Sequence, residues 1–467
     1  MEFDTDEAAL EYLFSATDYE KMQRVRYNAD TFSLDRMRRL LEALGRPERD
    51  LVSVHVAGTK GKGSTAAMLH AIAMAAGLKT GLYTSPHLVD IRERIRIGSE
   101  DISSGALRRL IEVARPHIER FRAAGDPPTF FEIFTALAFR HFADAGTDLV
   151  VAEVGLGGRL DATNVLAPEV SVLTAISIDH TYQLGDTLRA IAAEKAGIIK
   201  PGVPVVSQPQ PREALEVIEE ACRTAGAPLL VIGREVTYEW APASEAGRAG
   251  GRRRGGRLAV RTPQATYDGL FVPLMGEHQA LNASAAIAAA ERVRPLAGWL
   301  TPETVRRALG EVRWPGRMEW LQGRPDWLLD GAHNRASMER LTEGLSRHFP
   351  GRPMVFVFAS AADKDVDGML TVLAERAGDA PVVFTRTDNP RAADPADLAA
   401  RFGRFGGEAC ETTANVSAAI AAARRLAGTE KLVVVCGSLY LVGEAKRILE
   451  TGERGAQGPA LQRPKMR

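Results

Sequence analysis

From Leu51 onward, short unbroken apolar runs alternate with longer alanine-rich stretches. LVSVHVA (51–57), TGLYT (80–84), DLVVAEV (148–154), VSVLTAIS (170–177) and PVVS (204–207) are rich in β-branched residues and predict strands. Between them, segments such as STAAMLHAIAMAAG and FEIFTALAFRHFADAG predict helices. A strand that is apolar on both faces needs cover on both faces, so the alternation predicts a doubly wound, mostly parallel α/β sheet. Over 236–267 the texture shortens and alternates (TYEW, LAVRT, ATYDGL), which predicts a small antiparallel patch. Within it, APASEAGRAGGRRRGG (241–256) predicts a flexible, solvated insertion, its arginines being a solvated charge run rather than a nucleic-acid contact. After the Trp314-Pro315-Gly316 break a second βα series begins: DWLLD (326–330), PMVFVFA (353–359), APVVFTR (380–386) and KLVVVCG (431–437). The chain should therefore divide into residues 1–314 and a smaller α/β domain over 315–450, with a site between them and a disordered tail over 451–467.

Composition narrows the function classes. Apolar residues make up 45% and charged residues 25% of the 467, and Lys plus Arg equals Asp plus Glu at 59 each. No overall field recruits nucleic acid or an anionic membrane, so any anion site must be local. Cys222, Cys410 and Cys436 lie far apart without a CxxC, which argues against a zinc site or a disulfide framework. The acidic start MEFDTDEAALEYL has no signal-peptide pattern, and no apolar run approaches the ~18–20 residues of a membrane span. The expected compartment is the cytoplasm.

The first candidate chemistry follows strand 51–57. Gly58-Thr59-Lys60-Gly61-Lys62-Gly63-Ser64-Thr65 leads straight into a helix. Its glycines permit close backbone approach, and the amides opening the helix suit a phosphate. Lys62 offers a point charge, while Ser64 or Thr65 offers a hydroxyl to phosphate or metal. The spacing departs from the usual phosphate-loop pattern, because Gly63 separates Lys62 from Ser64. The expected fold class is thus α/β: an N-terminal P-loop-type, mostly parallel domain with its antiparallel patch, plus a smaller C-terminal Rossmann-like domain.

Further polar residues fall just after strands, where open parallel sheets gather ligands. They are Thr84-Ser85-Pro86-His87, then Glu153 with the following GLGGR and Asp161, then Asp179-His180. Taken singly each has a plain explanation: Glu153 could pair with Arg159, Asp179 could cap a helix, and His180 could be a surface histidine. Gathered at one sheet edge, a hydroxyl, a carboxylate and an imidazole could complete a divalent-metal shell. Magnesium would suit the oxygens, and manganese the histidine as well. Lys195 reads as a salt-bridging helix residue.

Together, GTKGKGS, TSPHL, GLGGRLDATN, ISIDHT, EKAGIIKPG, GEHQALNASAA, WPGRME, LLDGAHN and CGSLYLVGEAKRIL resemble the Mur ligase superfamily. Within it they resemble folylpolyglutamate synthase and dihydrofolate synthase, over about residues 10–450 and in consistent order. The resemblance implies an ATP-dependent ligase that adds L-glutamate to dihydropteroate or a reduced folate through an acyl phosphate. It places Gly58 through Thr65, Asn282, Arg317 and Asp330 at the nucleotide. It places Ser64, Ser85, Glu153 and His180 at magnesium, with two ions allowed. Lys195 matches a lysine that is carbamylated in the family, and Lys62, Lys195 and His333 are the implied catalytic residues. Ser85, Pro86, His87, Arg94, Phe130, Phe131 and Asp161 fall in the acceptor region, and Ser438 with His333 on the glutamate side. Small-molecule partners, no nucleic acid, no membrane and a monomer are implied. Lys60 stands where many relatives have Asn, Arg335-Ala336 replaces a commoner proline-containing continuation, and 241–256 has no clear counterpart. Two other readings are a ligase for a peptidoglycan precursor and a nucleotide-binding regulatory protein without ligase activity. TSPHL and DIRERIRI favour the folate branch over the first, and the missing guanine-reading NKxD motif weighs against the second.

Overall fold

In the computed structural model, which describes residues 3–22, 28, 31–246 and 252–453, the apolar runs of the first half form one eight-stranded sheet. Its strands are β1 (Ser53–Ala57), β2 (Thr80–Tyr83), β3 (Ile95–Ile97), β4 (Glu100–Asp101), β5 (Leu149–Glu153), β6 (Val170–Leu173), β7 (Val205–Ser207) and β8 (Leu229–Val231). They lie in the order β4-β3-β2-β5-β1-β6-β7-β8, all parallel except β3, which runs antiparallel to both its neighbours β2 and β4. The strand pleat explains the unbroken apolar runs, because successive residues enter different cores. Leu149 and Val151 of β5 pack with helices Lys62–Ala75 and His278–Ala290. Val150 and Ala152 pack instead with helix Phe130–Ala145.

β6 stops at Leu173, short of the predicted Ser177. The cause is local: the Ala175 carbonyl accepts hydrogen bonds from the backbone N–H of Thr59 (2.9 Å) and Lys60 (3.1 Å), so the segment serves the phosphate loop instead of the sheet. The short strands β3, β4 and β8 were not predicted.

The antiparallel patch is a three-stranded sheet of β9 (Thr237–Ala246), β10 (Arg252–Arg261) and β11 (Thr266–Val272), ordered β11-β10-β9. Here the structure corrects the sequence expectation for 241–256. Its two flanks are paired strand residues, from Arg252 opposite Ala246 to Arg257 opposite Ala241, and not a solvated insertion. Residues 247–251 lie outside the described residues. The glycines that suggested flexibility serve close approach: a Cβ on Gly256 would sit 1.8 Å from Trp240 Nε1. Arg253 and Arg254 are not free charges either. Arg253 donates to the Gly310 carbonyl at 2.6 Å, and Arg254 packs over aromatic rings.

The second half forms a six-stranded sheet of β12 (Glu319–Leu321), β13 (Asp326–Leu329), β14 (Met354–Phe358), β15 (Val382–Phe384), β16 (Ala409–Thr412) and β17 (Leu432–Cys436). The order is β12-β13-β17-β14-β15-β16, with only β12 antiparallel. Helices Arg335–His348 and Val366–Ala377 cover one face, and Val416–Ala427 and Leu439–Glu453 the other. The chain is therefore mixed α/β, with a mostly parallel first sheet and a mixed second one. Of the tail predicted to be disordered, 451–453 end the last helix, and 454–467 lie outside the described residues. Among the described residues, no helix is long and apolar enough to cross a membrane.

Candidate active site

The phosphate loop leaves β1 and is held by its neighbours. Gly61 adopts φ +95°, and a Cβ there would lie 2.4 Å from Asn282 Oδ1, so only glycine fits. Lys62 is the first residue of helix Lys62–Ala75, which places the helix's free N–H groups and positive dipole end at the loop. Behind the loop, Asn282 is fixed by its own bonds. Its Oδ1 accepts from Gln208 Nε2 (2.9 Å) and Thr65 Oγ1 (3.3 Å), and its Nδ2 donates to Gln279 (2.8 Å).

Glu153 ends β5 beside this loop. Its Oε1 lies 4.0 Å from Lys62 Nζ, and its Oε2 accepts from the Ser85 N–H at 3.3 Å. Burial raises its pKa, opposed by the charge of Lys62. The plain alternative, a pair with Arg159, is not what forms, because Arg159 pairs with Glu194 at 2.8 Å. Lys195, the residue after Glu194, does not form the expected salt bridge among the described residues. Lys195 is buried on helix Leu188–Ala196, and its side-chain amine makes no hydrogen bond or ion pair among the described residues. Burial first, then the nearby Lys62, lowers its pKa to about 7.

Asp179 joins the two halves. It accepts from Lys60 Nζ (2.9 Å) on the phosphate loop and from Asn334 Nδ2 (3.2 Å) on the second sheet's side, and Lys364 Nζ lies 4.0 Å away. Burial opposes its charge, but Lys60, His180 and Lys364 prevail and hold its pKa well below the usual carboxylate range. Next to it, His180 takes a left-handed φ of +51° and faces the cavity.

Across the gap, the Asp330 carboxylate braces the loop after β13, accepting from the N–H groups of Met318 and Ala332, each at 2.8 Å. Arg317 lies against Gly331, with Nη1 2.6 Å from the point where a Cβ would stand. His333 Nδ1 is 2.8 Å from the Gly331 carbonyl. A carbonyl can only accept, so Nδ1 carries the proton and Nε2 presents a lone pair. Burial, then Lys60 and Lys364, pushes the His333 pKa well below its usual value, and the ring is neutral.

A cavity of about 1420 Å³ runs between the two halves and is lined by both. Most of the residues singled out from sequence meet on its wall, from Lys62 and Glu153 to His333 and Ser438. Gly58, Thr65, His87, Arg94, Phe130 and Lys195 do not line it. Arg94 is spent elsewhere: it pairs with Glu20 (2.8 and 2.6 Å), donates to His87 Nδ1 (2.9 Å) and sits over the Phe130 ring. Asp161 touches the cavity, but its oxygens hold the N–H groups of Leu156 (2.9 Å) and Thr163 (3.0 Å), which shapes the GLGGR loop. Sequence reasoning missed Glu20, Lys364 and Asn334. Lys364 had a usable signal, since ASAADKD follows β14, at the same kind of strand end that drew attention to Glu153.

Comparison with known proteins agrees in extent with this architecture. The Mur ligase middle domain matches residues 56–290, and the Mur ligase glutamate ligase domain matches residues 316–439. A dihydrofolate synthase/folylpolyglutamate synthase of Bacillus subtilis is 34% identical over 420 residues, covering 89% of this chain and 95% of that one. A probable bifunctional folylpolyglutamate synthase/dihydropteroate synthase of Haloferax volcanii is 39% identical over 412 residues, 88% of this chain, which spans only 47% of that longer relative. The solved folylpolyglutamate synthase of Mycobacterium tuberculosis, complexed with ADP, matches with a TM-score of 0.85 and 34% identity over 97% of this chain and 100% of that one. The chain belongs to the folylpolyglutamate synthase/dihydrofolate synthase family of Mur ligases.

Proposed function

We propose that this chain is an ATP- and magnesium-dependent ligase that joins L-glutamate by an amide bond to a folate-type carboxylic acid, either dihydropteroate or a reduced folate. The observation that carries this reading is one cavity in which Lys62 and Glu153 stand 4.0 Å apart on one side and a neutral His333 stands on the other. The ADP named with the Mycobacterium relative supports the nucleotide. Tyr19, Met22, Phe32 and Phe131 line part of the same cavity, an apolar and aromatic wall suited to a flat ring system, which favours a folate-type acceptor over a peptidoglycan precursor.

A carboxylate resists attack by an amine because oxide is a very poor leaving group. In the first step a carboxylate oxygen of the acceptor attacks the γ-phosphorus of ATP, and the bond to the β-phosphate oxygen breaks, giving an acyl phosphate and ADP. In the second the amine of glutamate attacks the acyl carbon, inorganic phosphate leaves, and one proton is released. Both steps need alignment and charge neutralisation more than covalent help. Lys62 and the amides opening helix Lys62–Ala75 hold the phosphates. Arg317 faces the transferred charge from the other side. His333 Nε2 accepts a hydrogen bond from the incoming amine and orients it.

Magnesium takes oxygen ligands and needs only one or two protein carboxylates beside substrate phosphates. The donor set fits it: the Glu153 carboxylate is buried and weakly bonded, and Ser64 and Ser85 add hydroxyls on the cavity wall. His180 is the fourth residue of the set and suits a second ion. Bound there, the metal would supply positive charge against the phosphate oxygens. Lys195 is the residue that takes up carbon dioxide as a carbamate: its buried amine is substantially neutral near pH 7, and only a neutral amine reacts.

The test is to incubate the purified protein with ATP, magnesium, glutamate and either dihydropteroate or tetrahydrofolate, and to weigh the products. A glutamyl adduct formed with one ADP per bond is expected, and Lys62→Ala should lower the rate by about 100- to 1,000-fold without altering the circular dichroism. ATP hydrolysis without an adduct in either mixture would overturn the reading.

A further inference from the structure

The arginine-bearing strand β10 is the part of the molecule that the proposed chemistry leaves unused, yet it contacts the second half. The Arg254 guanidinium carbon lies 4.5 Å from the Phe349 ring centroid and 5.0 Å from that of Trp320, within the range of cation–π attraction. Its Nη1 also donates to the backbone carbonyl of His348. His348 is the last residue of helix Arg335–His348. A cation bonded to a terminal carbonyl satisfies one of the orphan acceptors there and complements the negative end of the helix dipole.

The same helix end is held from two more directions. His348 Nε2 lies 3.4 Å from the Gly276 N–H, and Arg347 pairs with Glu277 at 2.6 Å, both just ahead of helix His278–Ala290, which carries Asn282. The edge of the Trp240 ring from β9 meets the His348 imidazole at 6.3 Å between centroids.

The opposite end of helix Arg335–His348 stands in the cavity. Asn334 is its N-cap, and Ser337 Oγ accepts from the N–H groups of both His333 (3.0 Å) and Asn334 (3.1 Å), so the first turn of the helix clamps these two residues. A helix of 14 residues is a rod of roughly 20 Å. Fixing one end of a rod fixes what the other end delivers.

We propose that Arg254 is a positioning residue: by anchoring the far end of helix Arg335–His348 to the small antiparallel sheet, it sets where His333 and Asn334 meet Lys60 and Asp179. Its kinetic consequence rests on the ligase reading above, whereas its structural consequence does not.

Arg254→Ala and Arg254→Lys are compared with Arg261→Ala, a control on the same strand whose side chain is exposed and whose nearest carboxylate, on Glu239, is 4.0 Å away. Amide hydrogen exchange is read at His333, Asn334 and Ser337. Arg254→Ala should speed exchange there about tenfold and Arg254→Lys less, while β14 in the same half and helix Lys62–Ala75 keep wild-type rates. In turnover, the KM for glutamate should rise about tenfold with ATP affinity unchanged. Wild-type exchange at these amides, or acceleration spread equally over β14, would overturn the proposal. If Arg254→Ala fails to fold, Arg254→Lys against Arg261→Ala decides by the same amides. A wild-type protein that forms no adduct would refute the ligase reading alone, because the exchange comparison still decides the role of Arg254.

Discussion

The Lys195 amine has no hydrogen-bond or ion-pair partner among the described residues, and burial lowers its pKa to about 7, so its protonation state governs two measurable properties. Carbamate formation requires the neutral amine, and ligase activity should therefore fall as pH drops below about 7 and recover with added bicarbonate. Stability carries the opposite signature from a paired lysine. The folded pKa is depressed, so between about 7 and the ordinary lysine value of 10.5 the unfolded chain binds more protons than the folded one. Stability of the carbon dioxide-free protein should thus rise with pH across that window. Urea midpoints at several pH values, compared between wild type and Lys195→Met, check this; equal slopes would mean that Lys195 titrates normally. At this scale the sequence was unevenly legible. Glu153 could be found because it sits where a predicted strand ends, and strand ends gather ligands. Glu20 could not, because its meaning comes from Arg94, a residue brought to it only by the fold.

Among the elements, helix Phe130–Ala145 shows how a local signal and a distant partner combine. Thr129 and Glu132 form a reciprocal capping box, and the same Glu132 carboxylate receives two nitrogens of the buried Arg36 at 2.9 Å. Removing it leaves Arg36 buried with only Asp126 and a backbone carbonyl. Glu132→Ala should therefore cost about 3 kcal/mol, the usual scale for breaking a buried ion pair, read as a lower urea midpoint. A loss below about 1 kcal/mol, typical of an exposed pair, would show that Asp126 suffices. The helix was read from the sequence but neither its cap nor the Arg36 contact was, although Thr and Glu three apart at the head of an apolar run are a local signal and Arg36 is not. Strands β1, β2, β5, β14, β15 and β17 were legible because burial on both faces leaves an unbroken apolar run. Over 252–256 composition misled: glycine next to arginine looks like solvated coil, although here Gly256 admits the Trp240 ring and Arg254 lies over aromatic rings.

For the whole molecule, the decisive feature is that the cavity belongs to neither half alone. Asp179 takes Lys60 from one side and Asn334 and Lys364 from the other, so one carboxylate ties the phosphate loop to the second sheet's loops. Replacing it with alanine removes the tie and leaves Lys60 and Lys364 as facing like charges. Asp179→Ala should therefore show a larger radius of gyration by X-ray scattering than wild type, the more so at low salt, where repulsion is less screened. An unchanged scattering profile would mean that the Arg254 contact and its neighbours hold the halves by themselves. The division into two α/β units was readable from the two βα series, whereas the residues that fasten them together come from segments with no motif in common.

The fit of Gly61 against the Asn282 amide has an evolutionary corollary. Two positions far apart along the gene share one small volume, so neither can drift independently. Because the backbone at 61 is left-handed as well as crowded, shortening residue 282 would not free residue 61 to grow, and it is position 282 that must stay within the room glycine leaves.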